Sequence, residues 1–160
     1  MIRRTELLRG AWGAVLLVAP RQVLGHVHHL RIDRPSVAVA RVLGARQLAQ
    51  AVLSGVDPSP EVLAMGVWVD AVHAATAVGL AVVDRHRARA GLTDAAVAGL
   101  WGVLGYRDLV TNRATPWSHQ RRRDELARLV LGLVPGGKPL LSRCAAARTR
   151  AAGSPTRPRH

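Results

Sequence analysis

The run GVWVDAVHAATAVGLAVV (66–83) constrains the fold most, because it is almost entirely apolar and yet carries Asp70 and His73. With the residues before it, it forms an apolar block from Val62 to Val83, long enough to supply the roughly 20 residues that a helix needs to cross a bilayer. A charged group at the centre of such a helix costs about 3 kcal/mol to insert, and each Val or Leu returns only about 0.3–0.6 kcal/mol. We therefore expect a membrane helix whose two ionisable residues face a neighbouring helix.

Three further apolar blocks accompany this one, and Pro, Gly and Ser residues between the blocks indicate helix boundaries. No run alternates polar and apolar residues for long enough to predict a sheet. The sequence predicts an all-α fold, a membrane-embedded bundle of about four helices around an antiparallel hairpin over 37–83. These helices form a membrane domain over residues 1–110, and their expected bounds are about 5–19, 37–54, 61–83 and 94–107.

The C-terminal third differs in charge from the rest of the chain. The formal net charge is +13, and from Arg107 onward the sequence has 12 basic residues against three acidic ones. Residues 111–141 are predicted to contain an amphipathic helix that lies at the membrane interface, with Trp117 as its anchor. The alternative is a soluble helix that docks on the core. The apolar face of this helix is expected to contain Leu126, Leu129, Val130 and Leu133. Residues 142–160 are basic and free of acidic groups, which predicts a disordered tail.

A polar cluster is predicted where Asp70 would meet the preceding helix. Arg46 lies twelve positions before Pro58 and Asp70 twelve positions after it, so an antiparallel hairpin places them at equal depth. A buried charge is tolerated when it is paired, and Gln50 and His73 could complete the hydrogen bonds. We interpret Arg46, Gln50, Asp70 and His73 as a candidate intramembrane cluster: either a clamp that fixes helix register or an ion, proton or small-anion site.

The sequence gives less support to a metal site, a catalytic site or a nucleotide-binding site. His26, His28 and His29 form a cluster that could bind a transition metal, but its spacing matches no structural zinc site. Asp70 and His73 could act with Thr76 as an acid/base dyad and nucleophile, yet no oxyanion hole is recognisable. There is no P-loop or dinucleotide fingerprint. We therefore expect no enzyme activity, no cofactor and no metal.

Two stretches resemble a family of small integral membrane proteins of high-GC bacteria that has no assigned activity. The stretches are RVLGARQLAQA (41–51) and the run that begins VDAVHAATAVGLAVV (69–83). The matching positions are Arg41, Gly44, Arg46, Gln50, Asp70 and His73. The resemblance covers roughly residues 8–105, and it implies a membrane location without implying a substrate.

These observations predict a structural or accessory protein of the cytoplasmic membrane that crosses it several times. Its expected partner is the lipid bilayer, with homo- or hetero-oligomers through helix faces of small residues as a further possibility. The loop 55–61 has acidic but no basic residues, so the positive-inside rule predicts that it is extracytoplasmic. The alternatives are a transporter-like or proton-linked site at the polar cluster, or a soluble basic helical protein that binds nucleic acid. We do not expect a nucleic-acid partner.

Overall fold

The computed structural model describes residues 4–27, 33–54, 58–111 and 121–153. These residues form seven α-helices and one π-helical turn, Val23–Val27, and none of them lies in a strand, which confirms the all-α prediction for this part of the chain. The helices are α1 (Arg4–Val18), α2 (Pro20–Gln22), α3 (Arg34–Ser54), α4 (Pro60–Val83), α5 (Ala88–Val110), α6 (Arg121–Leu133) and α7 (Gly137–Gly153).

Helix α4 begins where its local sequence requires. The hydroxyl of Ser59 accepts a hydrogen bond from the backbone N–H of Val62 at 3.2 Å, which caps the helix, and Pro60 follows at the first helical position. Helix α5 begins at Ala88, earlier than the predicted start near 94. Thr93 lies inside the helix, where its hydroxyl donates to the carbonyl of Arg89 at 2.8 Å.

The bundle consists of two helix pairs, α1 with α3 and α4 with α5, whereas α3 and α4 have little contact with each other. The prediction of a bundle centred on the α3–α4 hairpin is therefore wrong. Glycine explains the first pair: a Cβ added at Gly44 would lie 2.7 Å from the carbonyl oxygen of Gly13. The two backbones touch at this crossing, as helices with small interface residues do.

Small residues also bring α4 and α5 together. A Cβ added at Gly91 would lie 2.9 Å from the carbonyl oxygen of Ala77 and 3.1 Å from the Cβ of Ala81. Further along, a Cβ at Gly105 would lie 3.1 Å from Val67. The small residues Ala77 and Ala81 of α4 therefore face α5, which is the main neighbour of α4 rather than α3.

Helices α6 and α7 form a hairpin that packs along the first half of α4. Leu131 of α6 and Cys144 of α7 are buried in one core with Leu63, Ala64 and Leu109. The prediction of a disordered tail is therefore wrong for residues 142–153, which belong to α7, while 154–160 lie outside the described residues. Composition does not reveal this apolar core, because arginines dominate the segment and only a few of its side chains, such as Leu131 and Cys144, are buried.

Helix α6 presents two different apolar faces. Asp124, Ala127 and Leu131 are buried, while the predicted apolar face, represented by Leu126 and Leu129, is exposed on the opposite side. The face identified from the sequence is thus not the one that packs on the bundle. Trp117, its proposed anchor, lies outside the described residues.

Candidate functional site

Asp70 lies at the centre of a polar cluster between the two helix pairs, and it is only 1% exposed. Arg46 of α3 donates from Nη2 to Oδ1 at 2.9 Å. Arg9 of α1 donates from Nη2 to Oδ2 at 2.9 Å and from Nη1 to Oδ1 at 3.3 Å. Gln50 donates from Nε2 to Oδ2 at 3.3 Å and also to the carbonyl of Gly66 at 3.3 Å. One carboxylate thus binds groups from two other helices.

Arg9 also contacts one residue of its own helix, α1, and one residue of α5. Its Nε lies 3.3 Å from Oε2 of Glu6, one turn earlier on the same helix. Its guanidinium also lies over the ring of Trp101 on α5, 5.2 Å from the ring centroid, a cation–π geometry. Among the described residues the cluster contains two guanidiniums and two carboxylates, whose formal charges balance. Balanced and hydrogen-bonded charges are the arrangement in which burial of ions is tolerated.

The structure brings Arg46, Gln50 and Asp70 together, as the equal-depth argument predicts, and it does not place His73 with them. His73 Nε2 instead lies 2.7 Å from Oδ2 of Asp94 on α5. His73 is three positions after Asp70 on α4, about 60° short of a full helical turn, and it lies toward α5. Because a carboxylate only accepts hydrogen bonds, Nε2 carries the hydrogen in this pair.

Sequence reasoning missed Arg9, Glu6 and Asp94. A lone arginine inside the first apolar block was the available signal for Arg9, because such a charge needs a buried partner. No spacing rule connects Arg9 with Asp70, since the two helices are distant in the sequence. Equal distance from Pro58 relates only the two helices that flank it, and Arg9 lies on α1.

A second polar cluster joins the start of α4 to the α6–α7 hairpin. Glu61 is buried, and its carboxylate accepts hydrogen bonds from Arg148 Nη2 at 2.7 Å and from Arg128 Nε at 3.2 Å. The hydroxyl of Ser59 donates to Oδ1 of Asp124 at 2.6 Å. The hydrogen bond to Glu61 raises the pKa of the Arg148 guanidinium above its ordinary value. This cluster anchors the hairpin with charged groups on a surface that is otherwise apolar.

The histidine cluster is described only in part. His26 Nδ1 lies 3.2 Å from the carbonyl oxygen of Gln22, while His28 and His29 lie outside the described residues. Within the described ranges no group of three His, Cys, Asp or Glu residues could hold a metal ion.

Comparison with known proteins gave no matching family model, no curated protein of similar sequence and no solved structure of matching fold. The resemblance to small membrane proteins of high-GC bacteria therefore stays a prediction. Among the described residues, α4 is the one helix long and apolar enough to cross a membrane.

Proposed function

We propose that the chain is a multi-pass protein of the cytoplasmic membrane with a structural or accessory role, in which the Asp70 cluster joins the two helix pairs. The observation that supports this most is the outward placement of apolar side chains. Only 17% of the apolar window of α4 is buried, although this is the most apolar helix. The core helix of a water-soluble bundle would be mostly buried.

The exposed apolar surface extends over the other long helices. Val or Leu side chains are exposed on every helix of both pairs, including Leu8, Val15, Val42, Val52, Leu80, Val82, Leu100 and Val103. A soluble monomer rarely exposes contiguous apolar surface of this extent. In a bilayer the same side chains contact lipid, and the charges lie between the helices as membrane packing requires.

The contacts of Asp70 support a structural role over transport. Arg9, Arg46 and Gln50 occupy its carboxylate oxygens, and His73 pairs with Asp94 instead of extending the cluster. A carboxylate that accepts hydrogen bonds from two guanidiniums is held in one geometry. We therefore assign the cluster to helix association.

The prediction that the loop 55–61 is extracytoplasmic depended on the absence of basic residues near it, and the α6–α7 hairpin brings basic residues to this end of α4. Helices α6 and α7 carry eight basic and two acidic residues, and they pack on the Ser59 end of α4. The other end of α4 is basic as well, through Arg85, Arg87 and Arg89. The positive-inside rule therefore no longer selects the loop 55–61 as the extracytoplasmic one.

The test uses arginine substitutions at two depths of α4 in the full chain. Val72 lies near the middle of the helix and Val83 at its end, and both side chains are exposed. Val72→Arg should reduce the carbonate-resistant membrane fraction strongly, because an arginine at mid-span costs about 2.5–3.5 kcal/mol. Val83→Arg is the matched control and should insert normally, since its charge can reach the interface.

Two outcomes would contradict the proposal. One is release of the unsubstituted protein into the soluble fraction by a carbonate wash. The other is equal tolerance of both arginines, as expected on a water-exposed surface.

A further inference from the structure

A cavity of about 280 Å³ lies between the two helix pairs, on the side of Asp70 toward the C-terminal end of α4. Its walls are largely apolar and include Trp12, Leu16, Leu43 and Ala77. The volume is nearly twice the roughly 150 Å³ that holds a benzene molecule in an engineered apolar cavity. It therefore has room for a small two-ring or branched hydrocarbon skeleton.

The cavity opens on the flank of the bundle. Val39 of α3 and Leu80 of α4 both line it, and they are 57% and 60% exposed. Both belong to the apolar surface that faces lipid in the proposed membrane arrangement. A molecule dissolved in the bilayer could therefore enter between α3 and α4, and this route of entry rests on the proposed function.

The charged groups that line the cavity are already paired. Arg87 donates to Asp33 at 3.1 Å and lies 3.6 Å from a carboxylate oxygen of Asp84. Asp94 is paired with His73. Among the described residues of these walls, an ionic ligand would meet no unpaired opposite charge, so the lining favours an uncharged ligand.

Among the lining side chains of α4 and α5, His73 presents a ring nitrogen to a ligand's polar group, beside the carboxylate of Asp94. The hydroxyls of Thr76 and Thr93, which also line the cavity, donate to backbone carbonyls of their own helices at 2.7 and 2.8 Å. With Nε2 of His73 donating to Asp94, Nδ1 is the acceptor of the ring in its neutral form. Within the described ranges Nδ1 has no hydrogen-bond partner. A complementary ligand carries a hydrogen-bond donor.

We propose that this cavity binds an uncharged apolar alcohol or phenol from the bilayer, whose hydroxyl donates to Nδ1 of His73. Apolar walls supply affinity for the hydrocarbon part, and the His73–Asp94 pair selects the hydroxyl. Asp94 fixes the tautomer of His73 in the way that carboxylates orient histidines in other binding sites. This ligand site is separate from the Asp70 cluster.

The test compares two ligands of similar shape, 2-naphthol and 2-methylnaphthalene. Binding to the purified full chain is measured by equilibrium dialysis against empty micelles of the same detergent, which corrects for partitioning. We expect 2-naphthol to bind roughly three- to tenfold more tightly, the range that one net hydrogen bond contributes. Equal affinities, or no binding of either probe, would overturn the proposal.

Two variants separate the hydroxyl contact from the apolar cavity. His73→Phe should remove the preference for 2-naphthol while 2-methylnaphthalene still binds. Val39→Trp places bulk at the exposed mouth without overpacking the core, and it should weaken both probes. Unchanged binding of both probes in Val39→Trp would place them elsewhere and refute the site, even if His73→Phe did not fold. These measurements are made in detergent, so a negative result is distinct from failure of the fractionation experiment.

Discussion

Arg9 and Asp70 are 61 positions apart in the sequence, yet Nη2 of the arginine lies 2.9 Å from Oδ2 of the aspartate. Both side chains are almost fully buried, at 5% and 1% exposure. The contact joins α1 to α4, two helices that belong to different pairs. Because the pairs otherwise touch little, we regard this ion pair as a principal connection between them.

The crossing of α1 and α3 should depend on the absence of a side chain at Gly44. Its added Cβ would lie 2.7 Å from a backbone oxygen, and a backbone cannot move aside as a flexible side chain can. We expect Gly44→Ala to destabilise the protein by about 1–3 kcal/mol, as overpacking does. The measurement is thermal unfolding in detergent.

Gly79 offers the matched control for that substitution. It lies inside α4, and an added Cβ would meet nothing within 4 Å. Gly79→Ala should be neutral or stabilising by up to about 1 kcal/mol, because alanine favours the helix. Equal losses at both glycines would show that helix propensity, rather than the crossing, determines the effect.

Sequence patterns predicted where the helices lie in the chain better than which helices pack against each other. Ser59, Pro60 and the apolar run after them identify the start of α4, because capping and hydrophobic length are local properties. Equal distance from Pro58 also placed Arg46 opposite Asp70. The role of Arg9 could not be predicted in this way, because it depends on which helices pack together, and glycine contacts such as Gly13 with Gly44 determine that packing.

The C-terminal hairpin shows a second limit of sequence reasoning. Composition alone predicts disorder for 142–160, yet Cys144 and Ala147 are buried in α7. Their three-residue spacing is too short a signal to identify a buried helix face. The ion pair of Arg148 with Glu61 adds a contact that composition cannot reveal, because it joins residues from distant parts of the chain.

Arg148 should contribute to stability more than Arg143, which lies on the same helix. It binds the buried Glu61 at 2.7 Å, while Arg143 on the same helix is exposed. Because the Arg148 side chain is itself 35% exposed, solvent reduces the loss, and we expect about 1–3 kcal/mol for Arg148→Ala. Arg143→Ala should stay within about 0.5 kcal/mol. Indistinguishable melting temperatures of the two variants would contradict the anchoring role.

The thiol of Cys144 should be unreactive in the folded protein. Burial, followed by the negative charge of Glu61, raises its pKa from 9.0 to about 12. At pH 8 the thiolate fraction falls roughly a thousandfold, and alkylation by iodoacetamide slows accordingly. Unfolding in denaturant should restore the ordinary rate. Rapid alkylation of the folded protein would show that α7 does not pack as described.

The same pKa shift predicts the direction of a pH effect on stability. The folded-state pKa of Cys144 lies above the unfolded one, so the folded state holds the proton more tightly. The stabilisation is therefore fully present below about pH 9 and is lost as the pH rises toward 12. Cys144→Ala should flatten the alkaline decline in melting temperature, and an unchanged decline would assign it to other groups.

The most direct test of the Asp70 cluster is a double-mutant cycle between Arg9 and Asp70, measured by thermal unfolding in detergent. Arg9→Ala and Asp70→Ala should each cost about 3–5 kcal/mol, because each leaves charges unpaired in the bundle. The double variant should lose less than the sum by about 0.5–3 kcal/mol. The matched cycle between His73 and Asp70 should be additive, since His73 pairs with Asp94. Additive losses for Arg9 and Asp70 would contradict the account, because the two side chains would then not hold the helix pairs together.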